Sequence, residues 1–435
     1  MLAFCALLVS FLLTDNLSAQ KKIEFTEFTL DNGMHVILHQ DNSTPIVAIN
    51  MYYHVGSKDE KSDRTGFAHF FEHLMFEGSE HIGRGDFFKY VQDAGGQINA
   101  FTTFDETVYY EVLPSNQLEL GLWMEAERLL HANIDEEGVE TQRKVVKEER
   151  KQRLDNQPYG SIQEEIFSRS FTEHPYQWTP IGSAQYIDQA TLEEFMAFYK
   201  KYYVPNNVVL SIAGDINKEE TKKLVEKYFG DIPRGADIPR NQIVEPPREA
   251  EVRDTIFDNI QLPAVVKSYN IPEKGADDYY ALRMLGTLLS GGKSSRLYKA
   301  LVDEQQIAVQ SVSSPYGLED PGIFIFFSLA NQGVDPQKLE EAMDAEIQLV
   351  KDELISEREF KKLRNQMENS FYNQNNSMRS IAQNLASYHT FFGDANAVNT
   401  EIERFMKVTR EDIKRVANEY LTKENRVILY YLPEN

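Results

Sequence analysis

Hydrophobic and polar residues along the first hundred positions alternate with the two-residue period of half-buried strands. Phe25–Leu30 and Met34–His39 are two such runs, joined by Asp31-Asn32-Gly33, a sequence suited to a tight hairpin turn. Ile46–Val55 reads as a third strand, Gln97–Leu113 as two more, and Val208–Ala213 as another. Between them the spacing lengthens to that of helices. One helix is expected from about Thr65 to Phe76, stopping at Gly78, and another over Asp86–Ala94, stopped by Gly95-Gly96. Longer helical segments cover Glu119–Leu130, Glu136–Asp155 and Lys218–Phe229.

The pattern breaks over Asp231–Pro247 (DIPRGADIPRNQIVEPP), where proline, glycine and charge replace periodicity, as in a linker. The halves on either side share a faint repeat. Thr44-Pro45-Ile46-Val47-Ala48 resembles Leu262-Pro263-Ala264-Val265-Val266, and each leads into a strand, a helix ending in glycine, a further helix and more strands. A duplicated α+β domain is expected, divided into residues 20–233, a linker over 234–252, and residues 253–435.

Composition narrows the function classes. The chain has 435 residues, 42% hydrophobic and 11% aromatic, enough for two or three well-filled domains. A formal charge of −23 excludes the basic surface that nucleic-acid binding needs. The single cysteine, Cys5, excludes a disulfide framework. Leu2–Leu13 (LAFCALLVSFLL) is too short to span a bilayer and has the length of a signal-peptide core, with small residues at Ser18 and Ala19. A signal peptide over 1–19 and export to the periplasm or beyond are therefore expected; an N-terminal core helix is the alternative. Removal of that segment takes Cys5 with it and excludes a thiol enzyme. No integral membrane segment is expected in what remains.

The candidate chemistry lies in His69-Phe70-Phe71-Glu72-His73, inside the first helical segment. Histidines four apart share a helix face, so both imidazoles can reach one ion, and Glu72 can take a proton from a water held there. His35 and His39 are also four apart, but in a strand pattern, where ordinary packing roles are expected. Gly291-Gly292-Lys293-Ser294 lacks the earlier glycine of a phosphate loop, since position 287 is Thr, and follows a helix. No G-x-S-x-G is present. Tyr109-Tyr110 and Phe324–Phe327 read as strand core.

The pentad is H-x-x-E-H, and the run Gly66-Phe67-Ala68-His69-Phe70-Phe71-Glu72-His73-Leu74-Met75-Phe76-Glu77-Gly78-Ser79 closely resembles the zinc helix of the pitrilysin and mitochondrial-processing-peptidase family of zinc metallopeptidases. Gly95-Gly96-Gln97-Ile98-Asn99-Ala100-Phe101-Thr102 looks like the family's substrate-lining strand. Val145-Val146-Lys147-Glu148-Glu149-Arg150 looks like the helix bearing its third ligand, and Leu289–Tyr298 resembles a segment of its second half. The resemblance implies two homologous α/β-sandwich-like domains, with mostly antiparallel sheets flanked by helices, in a clam-shell. It implies one Zn2+ per chain on His69, His73 and Glu149, with Glu72 as general base, and a peptide substrate added as a strand beside Asn99, Ala100, Phe101 and Thr102. Glu149 lies 76 positions after His73, the family's register. Its neighbour Glu148 is chemically identical and would point about 100° away on a helix.

Two departures from the family stand out. Gln142 occupies the position of a supporting glutamate seven residues before the third ligand. In the second half, single-chain members supply an Arg and, seven residues later, a Tyr to the active site, whereas the matching segment here carries Val302 and Val309. Aliphatic side chains neither donate a hydrogen bond nor neutralise charge. A homologous partner subunit carrying the Arg and Tyr is therefore expected, unless another group such as Tyr316 substitutes. The alternative function is a non-catalytic structural or peptide-binding subunit.

Overall fold

The computed structural model describes residues 22–240 and 243–434; the signal segment expected over 1–19 and Cys5 lie outside the described residues. The chain forms two mixed sheets flanked by helices. The first contains β1 (Thr26–Thr29), β2 (His35–Gln40), β3 (Ile46–Tyr53), β4 (Gln97–Thr102), β5 (Thr107–Pro114) and β6 (Val208–Gly214), in the order β1-β2-β6-β3-β5-β4. The second contains β7 (Val252–Asp258), β8 (Ala264–Ile271), β9 (Ala308–Tyr316), β10 (Gly322–Ala330) and β11 (Arg426–Pro433), in the order β7-β11-β8-β10-β9.

Without β1, the two orders correspond strand for strand. Each sheet has one parallel pair, β2 with β6 and β7 with β11, and its other neighbours run antiparallel. Thr44–Ala48 and Leu262–Val266 lead into β3 and β8, the equivalent central strands. Both are buried along nearly their whole length because both faces of each are covered. The helical segment expected over Glu136–Asp155 is α-helical only to Arg150 and then widens into a π turn over Lys151–Asp155.

Alternation along the strands sends neighbouring side chains to opposite faces. In the first sheet, Val36, Leu38, Val47, Ile49, Met51 and Tyr53 face helices of the same half. Ile37, Ala48, Tyr52, Val209 and Ala213 face the other way, against Ile381, Ala382, Leu385 and Ala386 of helix Met378–Phe392, which belongs to the second half. The second sheet does the converse. Ala264, Val266, Ile323, Leu429 and Tyr431 pack on Ile166 and Phe167 of helix Ile162–Ser170, from the first half. Each sheet is thus closed by a helix lent from the opposite half.

An ionic junction accompanies this exchange. Lys58 of the first half lies 2.5 Å from Glu319, 3.1 Å from Asp320 and 3.1 Å from Asp105, while His54 Nε2 lies 2.7 Å from Glu319. Glu319 and Asp320 sit in the turn between β9 and β10.

Candidate functional site

The histidine pentad falls on helix Phe67–Leu74, whose Phe67, Ala68, Phe70, Phe71 and Leu74 face the first core. Phe70 stacks on Phe195 at 4.5 Å and Phe71 on Phe198 at 5.0 Å between ring centroids, fixing the helix roll. His69 and His73 are left on the face turned toward helix Glu136–Arg150. Beyond the C-terminal end of the pentad helix, Arg128 donates from Nη1 to the Met75 carbonyl at 2.5 Å. Its fully buried guanidinium lies over the rings of Phe76, Phe87 and Tyr109 and pairs with Glu125 at 3.1 Å.

Three potential ligand atoms converge. His69 Nε2 and His73 Nε2 are 3.3 Å apart, and Glu149 Oε2 lies 3.1 Å from His73 Nε2 and 3.6 Å from His69 Nε2. A tetrahedral ion with bonds of about 2.0–2.1 Å spaces its ligand atoms about 3.3 Å apart. The three residues therefore fit a zinc ion with little movement, and two imidazoles with one carboxylate form a common zinc donor set. The other ring nitrogen of His69, Nδ1, is buried and unpartnered among the described residues.

The electrostatics suit the same use. Burial, followed by the neighbouring His73, pushes the His69 imidazole down to about 4, so it is neutral and able to coordinate at ordinary pH. The hydrogen bond from His73 holds the Glu149 carboxyl below its usual range. Glu149 Oε1 pairs with Arg153 at 2.7 Å, which leaves Oε2 for the histidines. Glu148 points elsewhere: it is exposed and accepts from Gln152 at 3.1 Å.

Glu72 lies beside this cluster, and its Oε2 accepts a 2.7 Å hydrogen bond from Thr102 Oγ1. Burial pushes the Glu72 carboxyl up, against the pull of the Thr102 bond. Thr102 ends β4, which pairs with β5 on one side only and forms an edge of the first sheet. Ala100 packs toward the first core and Phe101 toward the lent helix, while Asn99 Oδ1 accepts from the Ala100 N–H at 2.9 Å.

Gln142 Nε2 donates to Glu77, which also pairs with Arg84. The amide thus holds a carboxylate that lies one turn beyond His73. In the second half, Val302 packs against the core and Val309 is exposed on β9. Tyr316 sets its ring against Phe104 and Phe167 at the contact between halves, and burial pushes its hydroxyl up to about 12.

A second histidine–carboxylate group joins Glu27, His35 and His389. There the two imidazoles stack 3.5 Å apart with planes inclined by 8°, so their in-plane lone pairs run parallel and do not meet at one ion. His39 takes no part, since its Nδ1 contacts the Glu24 carbonyl at 2.7 Å. Sequence reasoning missed Glu60 and Arg128, which bond the backbone at the two ends of the pentad helix, and the pairing of Glu77 with Arg84 and Gln142. A buried Glu or Arg leaves no periodic signal that separates it from a surface charge.

Residues 35–182 match the family described as Insulinase (Peptidase family M16), and residues 189–367 match the Peptidase M16 inactive domain. The zinc protease PqqE of Helicobacter pylori is 31% identical over 409 residues, covering 93% of this chain and 92% of that protein. An uncharacterized zinc protease of Bacillus subtilis, YmxG, is 24% identical over 404 residues, covering 92% of this chain and 97% of that one. Among solved structures, a protease from Helicobacter pylori has a TM-score of 0.90 at 30% identity, covering 94% of this chain and all (100%) of that one. The periplasmic protease PqqL from Escherichia coli has a TM-score of 0.77 at 18% identity, with 94% of this chain lying on 47% of that one. With this coverage at both levels, the chain belongs to the insulinase or pitrilysin family of peptidases, M16.

Proposed function

We propose that this chain is a zinc-dependent endopeptidase acting on short or unfolded peptides, with His69, His73 and Glu149 holding one zinc ion. The observation that carries this reading is the triangle of His69 Nε2, His73 Nε2 and Glu149 Oε2, with sides of 3.1–3.6 Å. When bound, zinc supplies Lewis-acid polarisation and lowers the pKa of a water. Glu72 takes a proton from the attacking water and passes it to the leaving amine. Its upward-shifted carboxyl is suited to giving the proton back as well as receiving it. The free edge of β4 turns the backbone groups of alternate residues along Asn99–Thr102 toward an extended peptide, so binding depends little on substrate side chains.

Val302 and Val309 favour a division of labour in which a homologous subunit supplies the Arg and Tyr that this chain lacks. The same two residues favour a second reading, a peptide-binding subunit without turnover. The apolar run Leu2–Leu13 supports export, and with it a reaction outside the cytoplasm. Among the described residues no helix is long and apolar enough to cross a membrane. One experiment separates the readings: metal analysis followed by a quenched fluorescent peptide assay, with and without chelator, on wild type and Glu72→Gln. The enzyme reading expects both proteins to hold one zinc and only wild type to cleave. Zinc without cleavage in wild type, alone or with its co-purifying homologue, favours the binding subunit.

A further inference from the structure

Helix Phe67–Leu74 has eight residues, about two turns. So short a helix has little stability of its own, and its first N–H groups have no partners within it. Its N-cap residue is Gly66, at φ +96°, which has no side chain to supply the missing acceptor. Glu60 supplies it from outside. Its Oε2 accepts the Gly66 N–H at 2.9 Å and its Oε1 accepts the Ala68 N–H at 2.8 Å. Ala68 is the residue immediately before His69.

Glu60 is only 8% exposed, and among the described residues it makes no ion pair. Burying a carboxylate without a cation is costly, even with two N–H donors. A capping serine or aspartate is not open to position 66, because its φ of +96° strains any side chain and an added Cβ would lie 3.0 Å from the Ile181 carbonyl oxygen, so the acceptor has to come from elsewhere in the chain. What Glu60 adds is fixation. Two bonds from one planar group set both the height and the rotation of the turn that carries His69, and the opposite end is held by Arg128 at Met75.

We propose that Glu60 is a positioning residue of the metal centre, holding His69 at the spacing from His73 and Glu149 that zinc requires before the ion arrives. The inference rests on the zinc reading above. The amide of Glu60→Gln has almost the same shape but turns a donor toward one of the two N–H groups. Its test is zinc affinity of the full chain by competition with a chromophoric chelator, together with the visible spectrum of the Co2+-loaded protein. Loss of an outer partner of this kind weakens metal binding by roughly 10–100-fold.

The expected result for Glu60→Gln is a weakening in that range with altered Co2+ d–d bands, and a smaller effect for Glu60→Asp, which keeps the charge. Asn217→Ala is the control. It removes an equivalent cap, two N–H bonds from Glu219 and Glu220, from the distant helix Lys218–Phe229. It should lower the melting temperature without moving either metal readout. If Glu60→Gln also lowers only the melting temperature, Glu60 is a structural cap and the proposal is overturned. Should Glu60→Gln fail to fold, Glu60→Asp decides by the same two readouts. If wild type itself takes up no zinc or Co2+, the zinc reading fails first, which is a distinguishable outcome.

Discussion

Thr102 Oγ1 donates to Glu72 Oε2 at 2.7 Å, tying the last residue of the sheet's edge strand to the carboxylate beside the histidine pair. The bond lowers the Glu72 pKa, while burial raises it. Thr102→Val removes the donor and keeps the shape, so the Glu72 pKa rises further. In its proposed role as base, Glu72 works only when ionised. The acid limb of the kcat/KM profile should therefore move to higher pH, with kcat/KM at neutral pH down by at most roughly 10–100-fold, the full worth of one hydrogen bond to a charged group. An unchanged acid limb would remove Glu72 from the rate.

The proposed third ligand can be told from its neighbour by metal content. Glu149 faces both imidazoles, whereas Glu148 faces Gln152 and solvent. Glu149→Ala and His69→Ala should each retain well under one zinc per chain after dialysis. Glu148→Ala should stay at the wild-type value. A loss in Glu148→Ala alone would shift the ligand register by one residue.

The junction between halves should be sensitive to acid. Burial pushes the Glu319 carboxyl up, but His54 and Lys58 outweigh it and hold it at about 2. Because this pKa is depressed in the folded protein, the associated stability is complete above the ordinary value of 4.5 and is lost as pH falls toward 2. Asp320, beside His174 and Lys58, behaves alike, also at about 2. Glu319→Gln should cost about 3 kcal/mol at pH 7 and flatten the fall in melting temperature between pH 4.5 and 2. Calorimetry across that range is the check.

Packing at the lent helices should bind the halves into one unfolding unit. Leu385 is fully buried against the first sheet, although it belongs to the second half. Leu385→Ala should cost about 2–5 kcal/mol. The loss should appear in one transition followed by probes in both halves; two separate transitions would contradict the coupling.

Much of this was legible in the sequence where local chemistry decides structure. Asp31-Asn32-Gly33 did mark the turn between β1 and β2, and the Lys218–Phe229 helix begins and ends as its pattern indicates. The likeness of Thr44–Ala48 to Leu262–Val266 points to two central strands that the structure places equivalently. The pentad spacing was enough to put two imidazoles on one helix face. What could not be read depends on contacts between distant segments. Helix Ile162–Ser170 has an apolar face whose periodicity says that it is buried, but not against which sheet. Glu60 looks like any surface acid in the stretch Asp59–Asp63, because its partners are backbone N–H groups, which every residue but proline carries.

The lent helices also change what a break in the chain would mean. Asp231–Pro247 contains no helix or strand among its described residues and includes the exposed Val244, so it is the natural place for a protease to cut. A cut there would not release two products. Each fragment would still grip the other's sheet through helices Ile162–Ser170 and Met378–Phe392, and the nicked protein would travel as one particle until denatured. Either fragment made alone would have the opposite fate: with Ile37, Ala48 and Tyr52, or Val266, Leu429 and Tyr431, stripped of cover, it would present a bare apolar sheet to water and aggregate.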